Sequence, residues 1–304
     1  MEFKGLHKRF RMVLLVGVSA AAIMTASARA EDLNVPQGKL WMELSGVGPF
    51  WYASKGEPGL GGLKPKYGFM FSGEIGYQFA ESPYSIAVRV GHGASKKRRK
   101  SSSSFYSYYS SFWGTVFTSS SMSASTKERL TFIDFEVGRD IGIGDSDARL
   151  KVIAGLRFVR YKGRENMAGS YYIFPSPGVF YSFSGTGTRK FTGIGPRIGF
   201  NSLTPISESL ALRLDAAGAL LFGKRKTSAS VVGYSSYSLR RSKSTVVPNL
   251  SAFAGFAWTP ATVPGMSVSL GYAVDAYFGI TETLSGSKSD RIIHGPKLSI
   301  RFDF

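Results

Sequence analysis

The segment His294-Gly-Pro-Lys-Leu-Ser-Ile-Arg-Phe-Asp-Phe304 places Leu298, Ile300, Phe302 and Phe304 on one face of an extended chain and Lys297, Ser299, Arg301 and Asp303 on the other. Successive side chains of a strand point to opposite faces, so this stretch meets two incompatible environments, one apolar and one charged. An apolar row ending on a carboxyl-terminal aromatic is the pattern of a closing strand in an outer-membrane β-barrel. A soluble sandwich also alternates, so the weight falls on how often the chain repeats the pattern.

It repeats in ten stretches. Phe69, Phe71, Ile75, Tyr77 and Phe79 oppose Ser72, Glu74 and Gln78, and Tyr84, Ile86, Val88 and Val90 oppose Ser85, Ala87 and Arg89. The others are 40–52, broken by Gly46, Gly48 and Pro49, then 131–138, 149–161, 191–201, 210–223, 246–258, 266–278 and 292–304. Most reach the roughly 9–11 residues that a tilted strand needs to cross a bilayer. The connections alternate: 80–83, 139–148, 202–209 and 259–265 are short, whereas 91–130, 162–190, 224–245 and 279–291 are longer. This is the asymmetry between periplasmic turns and external loops of a meander barrel. The fold expected is all-β, a transmembrane antiparallel barrel of about ten strands, an even number that lets the first and last strands pair and removes exposed edges.

The amino terminus agrees with export. Lys4, Lys8, Arg9 and Arg11 precede the mostly apolar run 12–24, and Ala28-Arg29-Ala30 supplies small residues for cleavage, so residues 1–30 are expected to be a signal peptide and 31–304 the barrel. A run of thirteen residues is too short for a spanning helix. The 304-residue chain has no cysteine, which excludes disulfides, thiolate metal sites and thiol nucleophiles. No cofactor or metal is called for. The expected location is the bacterial outer membrane.

With the apolar face toward lipid, the inward set is Glu43, Glu74, Arg89, Asp134, Glu136, Lys151, Arg157, Arg197, Arg213, Asp215, Asp275, Lys297, Arg301 and Asp303, seven acids and seven bases. A lipid-facing charge near the midplane costs about 2–4 kcal/mol, which keeping the charges on one parity avoids. Such an interior either leaves a small water-filled pore whose field is set by Arg89, Arg157, Arg197 and Arg213 against the acids, or is filled by crossed ion pairs. If the turn after 138 centres on Ile143 and Gly144, Glu136 lies opposite Lys151.

The formal net charge of +18 must then sit mainly outside the barrel wall. Lys96-Lys97-Arg98-Arg99-Lys100 leads through four serines to Phe105, Tyr106, Tyr108, Tyr109, Phe112 and Trp113, and Lys224, Arg225, Lys226, Arg240, Arg241 and Lys243 mark a second external loop. Outside an outer membrane the nearest polyanion is lipopolysaccharide, and nucleic acid is excluded by compartment. A general base needs hydrogen-bond reach to its proton. His92 and His294 fall on the outward parity, away from the inward acids, so no enzyme is expected. The run 193–199, rich in glycine, lies within a strand and lacks the following helix of a nucleotide-binding loop.

The stretches Phe191-Thr-Gly-Ile-Gly-Pro-Arg-Ile-Gly-Phe200, Val246-Val-Pro-Asn-Leu-Ser-Ala-Phe-Ala-Gly-Phe256, Ser269-Leu-Gly-Tyr-Ala-Val-Asp-Ala-Tyr-Phe278 and 294–298 resemble the Legionella-type major outer-membrane protein family of pore-forming barrels. The resemblance is best in the second half and does not extend to the serine-rich 93–127. It implies an integral outer-membrane barrel with pore activity. The function expected is a small, weakly selective pore for ions or small polar solutes. The alternative is a closed structural or adhesive barrel whose basic, aromatic loops bind lipopolysaccharide or a host surface. The partners expected are outer-membrane lipid, the assembly machinery through the strand ending in Phe304, and other copies of the chain on the outward apolar face.

Overall fold

The computed structural model describes residues 38–48, 50–54, 63–110, 114–142, 148–174, 179–233, 236–283 and 286–304. The expected signal peptide lies outside the described residues. Among the described residues twelve strands form, in chain order: β1 Lys39–Val47, β2 Phe50–Ala53, β3 Gly68–Gln78, β4 Tyr84–Ser95, β5 Arg98–Ser110, β6 Gly114–Gly142, β7 Arg149–Phe174, β8 Val179–Pro205, β9 Leu210–Val232, β10 Tyr237–Trp258, β11 Met266–Glu282 and β12 Lys288–Asp303. They make ten staves. β1 and β2 are two pieces of one stave, both paired with β12, and β4 and β5 are two pieces of another, both paired with β6.

Every neighbouring pair is antiparallel, and β12 closes on β1 with Trp41 opposite Asp303 and Glu43 opposite Arg301. The closure removes the free edges that an open sheet would present. The side-chain alternation places Phe71, Ile86, Phe135, Leu156, Ile198, Leu220, Phe256, Leu270 and Leu298 outside, all exposed in the isolated chain, as a band for lipid. The short turns and the carboxyl terminus lie at one end, the periplasmic end of a barrel of this kind. At that end Gly265, entering β11, has φ +75, and a Cβ there would overlap the Asp303 carbonyl oxygen. Only glycine suits the turn.

The ten predicted stretches all fall on strands, but the expected long loops do not stay loops. β5 to β10 run on past the apolar band as hairpins, and β6 continues sixteen residues beyond Leu130, about 40 Å at ~3.3 Å per residue and a tilt near 40°. Neither face of this extension meets lipid, so its Ser- and Thr-rich sequence shows no apolar alternation. Cross-strand hydroxyl bonds such as Ser104 with Ser120 (2.6 Å) and Ser121 with Ser170 (2.9 Å) link its strands instead.

Candidate functional site: the barrel interior

All fourteen charged residues assigned inward project from the inner face, and most join one ion-pair network. Its spine is a row across successive strands: Glu43, Glu74, Arg89, Asp134 and Arg157 stand directly opposite one another on β1, β3, β4, β6 and β7. Arg89 donates through Nε to Glu74 at 2.6 Å, and Arg157 grips both oxygens of Asp134, each at 2.7 Å. That two-point grip suits a planar guanidinium facing a carboxylate.

The far side of the barrel reaches across to this row. Arg213 donates to Glu43 at 3.0 Å and pairs with Asp215 at 3.1 Å, while Lys297 stands 3.7 Å from Glu43. Arg197 pairs with Glu136 at 2.9 Å. Arg157 also donates to the side-chain carbonyl oxygen of Asn249 at 2.6 Å, and Asn249 and Tyr277 in turn donate to Asp275 at 2.7 and 2.8 Å. Asp134 and Arg157 are essentially without solvent contact, and each lone pair or N–H left unbonded there would carry a desolvation cost. Arg157 further lies 4.9 Å above the Phe132 ring, which occupies the space over Gly91; a Cβ on Gly91 would overlap that ring.

At the periplasmic rim Arg301 and Lys151 both lie over the Trp41 ring, 5.0 and 4.6 Å from its centroid, and Arg301 pairs with Asp303 at 2.6 Å. Lys151 meets Asp140 at 3.7 Å, because the turn places Asp140 opposite Lys151 and Gly155 opposite Glu136. The expected Glu136–Lys151 register is therefore off: the turn is centred later in the sequence than Ile143-Gly144, and Glu136 is left free for Arg197.

Among these charges lies a cavity of about 90 Å³, lined by Glu43, Glu74, Arg89, Arg197, Asp215 and Lys297 among others. At roughly 10–15 Å³ per water centre, that is room for several waters, with these charged groups as partners on one part of the wall and Met70, Phe132, Ile153 and Phe253 on another. Side-chain exposure falls from 32% at Arg301 and 20–22% at Lys151 and Arg89 to zero at Asp134, so the vestibule is wet toward the periplasmic end.

Above it the interior changes character. Leu130, Val159, Tyr161, Phe191, Leu221, Val247, Tyr277 and Ile280 all point inward, all without solvent exposure, and pack with Trp51, Met70 and Ile293 into one cluster. An apolar layer thus crosses the lumen. Sequence reasoning missed it, although the signal was present: Phe158-Val159, Leu220-Leu221-Phe222 and Val246-Val247 are runs where both faces are apolar instead of alternating. Beyond the layer comes a second charged tier, also missed because it falls where loops were expected. Arg291 grips Glu128 at 2.8 to 3.0 Å, Arg225 pairs with Glu282 at 2.7 Å, and Arg189 with Glu165 at 2.9 Å.

The remaining expected sites lie outside the lumen. Lys96 and Lys97 link β4 to β5, and Arg98, Arg99 and Lys100 begin β5, so this basic run is exposed but partly strand and not loop. His92 and His294 face outward near the outer limit of the apolar band, His92 Nδ1 with the Thr131 hydroxyl at 2.9 Å and His294 Nδ1 with the Tyr272 hydroxyl at 2.6 Å. Among the described residues no group of three or more His, Asp or Glu could hold a metal ion.

No curated protein matches the chain. Among solved structures it is similar to the outer membrane protease OmpT from Escherichia coli (13% identity, 90% of this chain and 100% of that one, TM-score 0.45) and to a major outer membrane protein from Thermus thermophilus (10% identity, 88% and 99%, TM-score 0.35). It is also similar to the transport unit of the autotransporter AIDA-I from Escherichia coli (11% identity, 90% and 93%, TM-score 0.35). The model of the family described as the Legionella pneumophila major outer membrane protein precursor matches residues 20–304, so this closed antiparallel barrel with its charged interior belongs to that family and is a protein of the outer membrane.

Proposed function

We propose that the barrel is a small pore for ions and small polar solutes, closed at rest by the apolar layer. The observation that carries this reading is the order of the tiers: a wet, charged vestibule, a dry constriction, then a second charged tier along one lumen. A hydrophobic constriction blocks ions by excluding water, and conducts when its side chains part enough to wet. The vestibule mixes acids and bases in near balance, which supports weak selectivity between cations and anions. We read the chain as non-catalytic, since both described histidines lie on the outward face and their ring nitrogens meet the Thr131 and Tyr272 hydroxyls, with no carboxylate contact to either among the described residues.

The purified, folded protein in a planar bilayer is expected to give brief openings separated by long silent periods. Complete silence over a wide range of voltages, with the barrel shown to be folded, would remove the pore. The second reading is a closed pedestal that presents the β5–β10 extension at the cell surface, which the unexposed packing of the layer favours. That reading predicts silence together with loss of surface attachment when the extension is removed.

A further inference from the structure

The outward face carries a feature unlike anything inside. Arg129 on β6 stands opposite Lys162 on β7, Lys162 opposite Lys190 on β8, and Lys190 opposite Lys226 on β9, so four cations lie in one unbroken cross-strand row. All four are exposed. One rung closer to the membrane, Arg160 and Lys224 flank Thr192 in a parallel row. Immediately below come the outward apolar residues Ile133, Phe158, Ile194 and Phe222, the upper limit of the lipid-facing band. The cations therefore sit at headgroup height on the outer leaflet.

Like charges directly opposite each other on neighbouring strands repel. Inside the barrel the row alternates sign from Glu74 to Arg89 to Asp134 to Arg157, and its one like pair, Glu43 opposite Glu74, is flanked by Arg213, Lys297 and Arg89. Outside it does the reverse, and none of Arg129, Lys162, Lys190 and Lys226 forms an ion pair among the described residues. No acidic residue occupies an outward position of β6 to β10 at this level. Neighbouring strands are about 4.8 Å apart, so the row extends roughly 14 Å around the wall. That is a ladder for a ligand with more than one anionic group, presented to the membrane interface.

We propose that the outer wall of β6–β9 binds the phosphorylated glycolipid of the outer leaflet, lipopolysaccharide, with its headgroup phosphates on the row Arg129, Lys162, Lys190 and Lys226. The acyl chains lie along the apolar band beneath. Ordinary phospholipid would place its phosphate in the same chemistry, but each molecule offers one phosphate to a row built for several.

The test uses the full folded protein in neutral detergent, titrated with bisphosphorylated lipid A, with the same glycolipid dephosphorylated, and with phosphatidylglycerol, reading the thermal unfolding midpoint and the apparent Kd. Bisphosphorylated lipid A is expected to raise the midpoint, and the other two to do so weakly or not at all. The combined variant Arg129→Gln, Lys162→Gln, Lys190→Gln and Lys226→Gln is expected to bind lipid A at least tenfold more weakly. The corresponding Lys→Arg variant retains binding, which guards against a folding defect. Replacing Lys96 to Lys100 by glutamine is expected to leave the affinity within about twofold. Equal binding by the glutamine row variant, equal binding of the dephosphorylated glycolipid or phosphatidylglycerol, or loss of binding only with the Lys96–Lys100 variant would each overturn the proposal.

Discussion

Within the membrane the wall keeps its charges on the inner face and pairs them; above the membrane the same strands carry charges on the outer face, and Arg129, Lys162, Lys190 and Lys226 have no carboxylate partner among the described residues. The covalent chain is continuous through both regions, and β6 to β10 pass from one to the other without a break in register beyond local irregularity. What changes is the solvent. Lipid forbids outward charge, so alternation appears and the buried charges need partners of opposite sign. Water and headgroups impose neither condition, so the extension mixes Ser and Thr with exposed aromatics such as Phe105 and Phe180, and its outward cations are available to external anions.

If this contrast is right, the largest stability effect belongs to the interior. Arg157→Leu leaves the Asp134 carboxylate, with no solvent exposure, without its bidentate partner and with Arg197 at 3.9 Å as its remaining cation, and takes from Asn249 and Asp275 the guanidinium they share. Removing one member of a buried pair costs about 3–5 kcal/mol, measurable by denaturant unfolding in lipid vesicles. Replacing both, Arg157→Met with Asp134→Leu, is expected to cost less than the single change.

A smaller effect tests the outward face directly. Leu156→Arg puts a charge into the lipid band and is expected to destabilise by about 2–4 kcal/mol, whereas Ser119→Arg, exposed on the extension, stays within about 0.5 kcal/mol. Equal costs at the two positions would erase the distinction between the regions. Smaller than the charge placed in lipid, Lys151→Ala removes an ion pair whose Asp140 side chain is 47% exposed together with the contact to the Trp41 ring, and about 1 kcal/mol is expected in the same unfolding measurement.

The membrane region was legible in the sequence because lipid enforces it. Leu298, Ile300 and Phe71 had to face one way and Arg301, Glu43 and Glu74 the other, so strand number, closure and the identity of the inward charges followed from parity alone. Register was less legible. Asp140 opposes Lys151 because of a turn whose centre carries no signal as strong as the strands it joins. The apolar layer was hidden since an inward Val159 or Leu221 beside outward Phe158 or Phe222 reads as a merely more apolar strand. The extension was hidden for the opposite reason: without lipid on either face, Ser119 to Ser125 gives no period to count. The outer cationic row depends on four strands meeting in register, and from sequence Arg129, Lys162, Lys190 and Lys226 belong to four separate segments more than twenty-five residues apart.

If the apolar layer is what closes the lumen, thinning that layer alone, Leu130→Ala with Leu221→Ala, opens a path for ions, read as the planar-bilayer current of the variant. Each truncation costs about 2–5 kcal/mol, so folding is verified first by unfolding in the same lipid. A steady current at least tenfold above the wild-type time average is the result predicted, with the ionic tiers left intact on either side. A folded variant whose time-averaged current matches that of the wild type would contradict it, and would place the block in the ion-pair network instead.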